Sequence, residues 1–330
     1  MAIATSPIIE DDRFSILDSL AREFEEAFAE LSESAERELA GKTFVFSNYG
    51  RELYPYFEAT DAELAPGCII PVKEGRPVAS VDSTCVLVGE TAQGALYAAR
   101  TALGISYEGS LRRFFRLGPI LVYATSAGLT GLATGIPPVE MDLLLSDHAV
   151  AERYIRNTVE RRVIEALSEP EGDTIIMADG SLKHPLGQLW GHLRRHAGGS
   201  RCLVGFSKSS NLILSEGAAS ALSRAPGPSY YTVEHGQVST VLAKFTPDGL
   251  VFRLDLSGPE PVETILGRII WNDAFASGYP DSLKVAHHLS IFSKAEDQAL
   301  KALVTKRFRV HQLHTFPLRK IALGSFKGSA

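Results

Sequence analysis

Residues 175–182 read IIMADGSL: four mostly apolar residues run straight into Asp179, Gly180 and Ser181. The pattern is that of a short buried strand with a carboxylate at its C-terminal mouth and a glycine that lets the backbone turn sharply behind it. Helical patterns flank it on both sides. SDHAVAERYIRNTVERRVIEALS at 146–168 has Ser146 or Asp147 as its N-cap, and PLGQLWGHLRRHA at 185–197 follows. A second strand, RCLVGFSKS, comes next at 201–209. Helix, strand, helix, strand in that order implies a parallel strand pair, and hence an α/β domain with a mixed sheet.

Upstream, PVASVDSTCVLVG at 77–89 repeats the anomaly, with Asp82 and Ser83 inside an apolar run. Strand-like segments at 94–103 and 118–125 continue it at a spacing that suggests a meander of antiparallel pairs. Downstream, 229–257 reads as two or three strands with a hairpin turn at TPDG, and 282–308 reads as helical. At the other end, Ile16, Leu20, Phe24, Phe28 and Leu31 recur at three- and four-residue steps in an amphipathic helix over 13–40, stopped by Gly41. That stripe fits packing on its own domain or on another subunit. No clean linker interrupts the chain, so residues 1–42 form an N-terminal helical region and 43–330 a single domain.

Bulk composition is that of a soluble globular protein: 330 residues, 45% hydrophobic and 22% charged. A formal net charge of -6 excludes a globally basic surface while leaving a local basic channel open. The three cysteines, Cys68, Cys85 and Cys202, form no CxxC pair and fit a reducing compartment better than a disulfide framework. The first residues, MAIATSPIIEDDRF, lack the basic start and apolar core of a secretory signal, and no run approaches the roughly 18 apolar residues of a membrane helix. The expected location is the cytoplasm, with no membrane partner.

Asp82 within one strand and Asp179 at the end of another are hard oxygen donors where α/β sheets gather ligands, suited to Mn²⁺ or Mg²⁺. The intervening helix carries Glu160 and Glu165. Arg156, Glu160, Val163, Ile164 and Leu167 step by three and four along one face, whereas Glu165 falls with Thr158, Arg161, Arg162 and Ser168 on a polar face. Glu160 therefore projects toward the sheet, where a carboxylate is costly unless paired or metal-bound. Near the C-terminus GYPDSLKVAHHLSIF supplies Tyr279, Pro280, His287 and His288; Pro280 and Asp281 suggest a helix start, placing His287 about two turns in. Neutral imidazole can complete a carboxylate metal site or move a proton.

Four motifs in one order, SVDST around Asp82, IIMADGSL around Asp179, LVGFSKSS with Lys208 after a strand, and GYPDSLKVAHH, resemble the NurA nuclease family. The resemblance spans residues 78–288. The first motif departs from the family in reading Asp-Ser-Thr where Asp-Gly-Ser is commoner, and Glu160 has no diagnostic neighbours. The resemblance implies an RNase H-like, PIWI-related core with a mixed central sheet flanked by helices. It further implies Mn²⁺-dependent DNA cleavage by two ions, both single-strand endonuclease and 5′→3′ exonuclease. A homodimer coupled to a HerA-type hexameric ATPase in DNA end processing is implied as well. Carried onto this sequence, Asp82, Glu160 and Asp179 become metal ligands, and His287 a ligand or nearby catalytic group. Tyr279 would shape the site and Lys208 would face the scissile phosphate. Other readings are an inactive adaptor docking such an ATPase and an RNase H-like nuclease acting on RNA.

Candidate phosphate contacts are Arg112, Arg113 and Arg116 with Phe114 and Phe115 between them for base stacking, then Lys183, Arg194 and Arg195, and finally Lys306, Arg307, Arg309, Arg319 and Lys320. Each group is more often an ordinary solvated surface with buried aromatics beneath it.

Overall fold

A computed structural model describes residues 15–40, 43–44, 57–58, 66–132, 138–167, 174–182, 202–207, 212–213, 222–234 and 238–312. Lys208, Lys183, Arg194, Arg195, Arg319 and Lys320, and the helix expected over 185–197, lie outside the described residues.

Three long strands, β1 (Val78–Thr91), β2 (Gly94–Tyr107) and β3 (Ser110–Thr125), form an antiparallel meander. After α2 (Pro138–Ser146) and α3 (His148–Leu167), β4 (Ile175–Asp179) returns beside β1 in parallel, and β5 (Cys202–Ser207) adds in parallel beyond it. A second meander, β6 (Ser229–Glu234), β7 (Ser239–Lys244) and β8 (Phe252–Ser257), extends the sheet antiparallel from β5. The ten-stranded order is Gly67–Cys68, β6, β7, β8, β5, β4, β1, β2, β3, Gly128–Thr130. Its centre, β3-β2-β1-β4-β5 with only β2 reversed, has the arrangement of the expected RNase H-like core.

Both faces of the sheet are covered, so its central strands read as near-continuous apolar runs. On one side α1 (Ser15–Leu39) and α3 cover β1–β3, burying Leu17, Leu20, Phe24, Ile155, Val159 and Val163. On the other, α4 (Val262–Asn272) buries Ile265, Leu266 and Ile269 against β4, β5, β7 and β8, and α5 (Asp281–Ser290) adds Leu283. A last helix, α6 (Lys294–Phe308), opens on a capping box between Ser293 and Glu296 and packs Leu300, Val304 and Phe308 on the far halves of β1–β3. The stripe of α1 is thus turned onto its own domain at Leu20 and Phe24.

Two strands run longer than expected. The β2–β3 hairpin extends through 104–117, so the segment LRRFFRLG is strand, with each arginine near a carboxylate: Arg116 with Glu296, Arg113 with Asp18 at 4.0 Å and Arg112 with Glu108 at 3.9 Å. Phe115 packs on the core and carries Arg113 over its ring at 4.4 Å, while Phe114 is exposed. Lys306, Arg307 and Arg309 are exposed at the end of α6. Helices α2 and α4 are additions to the sequence reading. Among the described residues no helix is long and apolar enough to cross a membrane.

Candidate metal centre

Strand register brings the acids together. Val78–Val81 of β1 pair in parallel with Ile175–Ala178 of β4, so Asp82 and Asp179 are the next residues along each strand, side by side where β4 ends. Among the described residues β1 continues past this point on its pairing with β2 alone.

Asp179 stands at a turn held from three directions. Gly180 adopts φ +117, a conformation that favours glycine, and its N–H donates to the Phe206 carbonyl at 2.9 Å. Behind the turn, fully buried Asp255 of β8 accepts from Ser181 Oγ at 2.5 Å and from the Leu182 N–H at 3.0 Å, while Arg253 balances its charge at 3.1 Å. Gly205 of β5 leaves the room required, since a Cβ there would lie 2.7 Å from the Gly180 carbonyl oxygen.

Helix α5 runs along β1 in polar contact with it. Ser282 Oγ meets Ser80 Oγ at 2.5 Å, His287 Nδ1 meets Asp82 Oδ2 at 2.7 Å, and Ser290 Oγ lies 3.2 Å from Thr84 Oγ1 and donates to Asp82 Oδ2 at 3.2 Å. Eight helical residues advance about 12 Å. Four strand residues advance about 13 Å. The two ladders therefore stay in step, and residues 80, 82 and 84 all face α5. Asp82 also accepts the Ser83 N–H at Oδ1, 2.8 Å, and is almost fully buried.

His287 Nδ1 lies 4.0 Å from Asp179 Oδ2, and one potential ligand atom from each of Asp82, Asp179 and His287 falls within 4.8 Å of the others. Among the described residues this is the single such group. Glu160 is not in that triplet but adjoins it from α3, buried to 3% exposure. Burial, the Asp82 charge and the Asp179 charge push its carboxyl up to about 8; Arg156 and a hydrogen bond from Ser83 pull the other way. Glu165 faces outward beside Arg161 at 3.6 Å, so the helical-face argument separates the two glutamates as expected. One member of the polar face is misplaced: Thr158 is fully buried and donates to the Tyr154 carbonyl at 2.8 Å, because α3 is covered over a wider arc than a single stripe.

Tyr279 sits in a two-residue strand, Tyr279–Pro280, hairpinned onto Phe275–Ala276. Its ring packs edge-on to Phe206 at 5.1 Å and against Phe252 at 5.5 Å. Burial first, then the nearby charges of Asp179 and Asp82, raise its hydroxyl well above the ordinary phenol range, so it stays protonated beside them.

The donor set is chemically matched to a hard divalent cation. Two carboxylates and an imidazole converge, and a third carboxylate is held back from ionising by burial first and then by its neighbours' negative charge, part of which a cation would offset. Ser290 and Asp255 carry no expectation from the sequence, and Ser83 is noted there without a role. Ser290 had a signal, lying three residues beyond His287 on the same helical face, whereas Asp255 approaches Asp179 solely through sheet topology.

No family model matches this chain, and no curated protein sequence does. Among solved structures, the NurA nuclease from Sulfolobus solfataricus superposes with a TM-score of 0.48 at 14% identity, covering 74% of this chain and 88% of that one. An endonuclease V from Bacillus subtilis gives 0.35 at 10% identity, covering 73% and 88%. A NurA bound to dAMP and manganese gives 0.35 at 12%, covering 96% and 100%.

Proposed function

We propose that this chain is a metal-dependent nuclease of NurA type that hydrolyses phosphodiester bonds in DNA. The observation that carries the reading is the convergence of Asp82, Asp179 and His287, from two strands and a helix, with buried Glu160 beside them. Asp82, Asp179, Glu160 and His287 would hold divalent cations, Mn²⁺ or alternatively Mg²⁺. Bound there, two such ions would supply Lewis acidity at the phosphate and lower the pKa of an attacking water. The chain's own groups set the stage for that chemistry. Ser83 N–H and Ser290 Oγ fix the Asp82 carboxylate, the protonated Tyr279 hydroxyl lies close to Asp179, and His287, touching Asp82, is placed to take up or release a proton. Lys208 would face the scissile phosphate and stabilise its developing charge. Single-strand endonuclease and 5′→3′ exonuclease activity, a homodimer, a HerA-type ATPase partner in DNA end processing and a cytoplasmic location belong to the same reading, through the motif resemblance.

Labelled single- and double-stranded DNA and RNA, incubated with Mn²⁺ and either the parent chain or Asp179→Asn, test it. The parent should cleave DNA, and the variant should bind Mn²⁺ more weakly and leave the substrate intact while keeping the parent's circular dichroism. Cleavage undiminished in Asp179→Asn would remove this residue from the site. RNA cleaved in place of DNA would make the chain a ribonuclease, and no cleavage by the parent would favour an adaptor.

A further inference from the structure

Asp273, outside the candidate metal centre, is a buried carboxylate tied directly to the first turn of the helix carrying His287. It follows α4 immediately, is 2% exposed, and meets no cation within ion-pairing distance among the described residues. Hydroxyl and amide groups surround it instead. Oδ1 accepts from Ser106 Oγ of β2 at 2.8 Å, from the Ala274 N–H at 2.9 Å and from the Ser282 N–H at 3.3 Å, and Oδ2 accepts from Ser282 Oγ. Burial raises its carboxyl, and those four donors oppose the shift.

The placement answers a need of α5. Pro280 at its N-cap offers no side-chain cap, so the first-turn N–H of Ser282 is satisfied from outside the helix by Asp273. Ser282 then hands the connection on: its hydroxyl touches both Asp273 and Ser80, two residues before Asp82 on the same face of β1. Gly104 of β2 lets the helix approach this closely, since a Cβ there would overlap the Ser282 carbonyl. One buried carboxylate therefore joins α4, β2 and the start of α5, and through Ser282 it reaches β1. His287 lies five residues along α5, on the segment whose height and rotation that junction fixes.

We infer that Asp273 is a positioning residue of the metal centre, acting through Ser282 to set the register of α5 and so the placement of His287 against Asp82 and Asp179. The inference rests on the metal-centre reading and assigns Asp273 no contact with metal or substrate. It makes a coupling prediction that a general structural role does not: once the His287 imidazole is gone, loss of Asp273 has little left to act through.

Asp273→Ala, His287→Ala and the double variant decide it, with Mn²⁺ affinity followed by the free-ion electron paramagnetic resonance signal and DNA cleavage followed as kcat and KM separately. Asp273→Ala should bind Mn²⁺ about tenfold more weakly, the size typical of outer partners of a ligand. It should also lose kcat by about tenfold to a hundredfold with KM little changed. The double variant should match His287→Ala in Mn²⁺ affinity. Additive losses, or an Asp273→Ala chain indistinguishable from the parent, would overturn the inference. Should Asp273→Ala fail to fold, Ser282→Ala removes the linking hydroxyl alone and is held to the same two criteria. A parent that neither binds Mn²⁺ nor cleaves would overturn the functional reading and this inference with it, whereas an active parent with an unaffected Asp273→Ala overturns the inference only.

Discussion

Glu160 shows how far one residue's environment can be read. Its orientation was legible because helical periodicity is local: four residues before Ile164 and three before Val163 is enough to turn it inward. Its protonation was not, since that depends on Asp82 and Asp179, brought to it by strand pairing. A carboxyl raised from 4.5 to about 8 favours the folded state while neutral. That stability is fully present below pH 4.5 and is lost as pH rises through about 8, because the unfolded chain ionises freely while the folded one resists. Metal-free protein should accordingly melt at lower temperature at pH 8.5 than at pH 5. Asp273, also raised by burial, pushes in the same direction, so the difference between parent and Glu160→Gln isolates Glu160. Glu160→Gln should match the parent near pH 5 and exceed its stability at pH 8.5 by on the order of a few kcal/mol, while losing cleavage. Added Mn²⁺ should stabilise the parent more than the variant at pH 8.5, since a cation favours the ionised ligand. Thermal melts at the two pH values, with and without Mn²⁺, check all three; a parent and variant that fall together at pH 8.5 would mean that Glu160 ionises without cost.

Between α5 and β2 the decisive feature is a missing side chain. Gly104 stands where the Ser282 backbone presses on the sheet, and the obstacle is main chain, which cannot rotate away. Gly104→Ala should force α5 outward by several tenths of an ångström at its N-terminal end. Overpacking of this kind costs about 1–3 kcal/mol. Cleavage should fall further than that loss explains, because the ladder that holds His287 at Asp82 starts at Ser282; kcat measured well below the melting temperature, beside a melt, separates the two effects. Unchanged kcat in a destabilised variant would show that α5 tolerates the shift. The sequence revealed α5 and the start of its helix at Pro280, but not this junction, for its members come from residues 80, 104, 106, 273 and 282. Helix α4 carries a helical step at Ile265, Leu266, Ile269 and Ile270, a signal the sequence reading does not use. The β2–β3 hairpin extends beyond its apolar run because Arg112, Arg113 and Arg116, which read in sequence as a patch, lie in the strand near Glu108, Asp18 and Glu296.

For the molecule as a whole, order along the chain foretold the sheet. Helix–strand–helix–strand spacing gave the parallel β4/β5 pair; that β1 joins it in parallel was not legible, and its register, Val81 opposite Ala178, is what brings the two aspartates side by side. What spacing could not decide was which surface the N-terminal apolar stripe covers. Leu17, Leu20 and Phe24 are 0%, 6% and 4% exposed, packed with residues of β3 and α3 in the main core. Burying three such side chains contributes roughly 5 kcal/mol or more. That is comparable with the whole margin of a folded domain. Removing residues 1–40 should therefore yield a chain that unfolds without cooperativity or aggregates, not a well-folded protein of altered oligomeric state. Phe24→Ala offers the gentler test, at about 3–5 kcal/mol. It should lower the melting temperature while leaving the mass measured by light scattering unchanged. A variant with the parent's melting temperature and a reduced mass would instead place this stripe at an interface between subunits, as its periodicity alone also allowed.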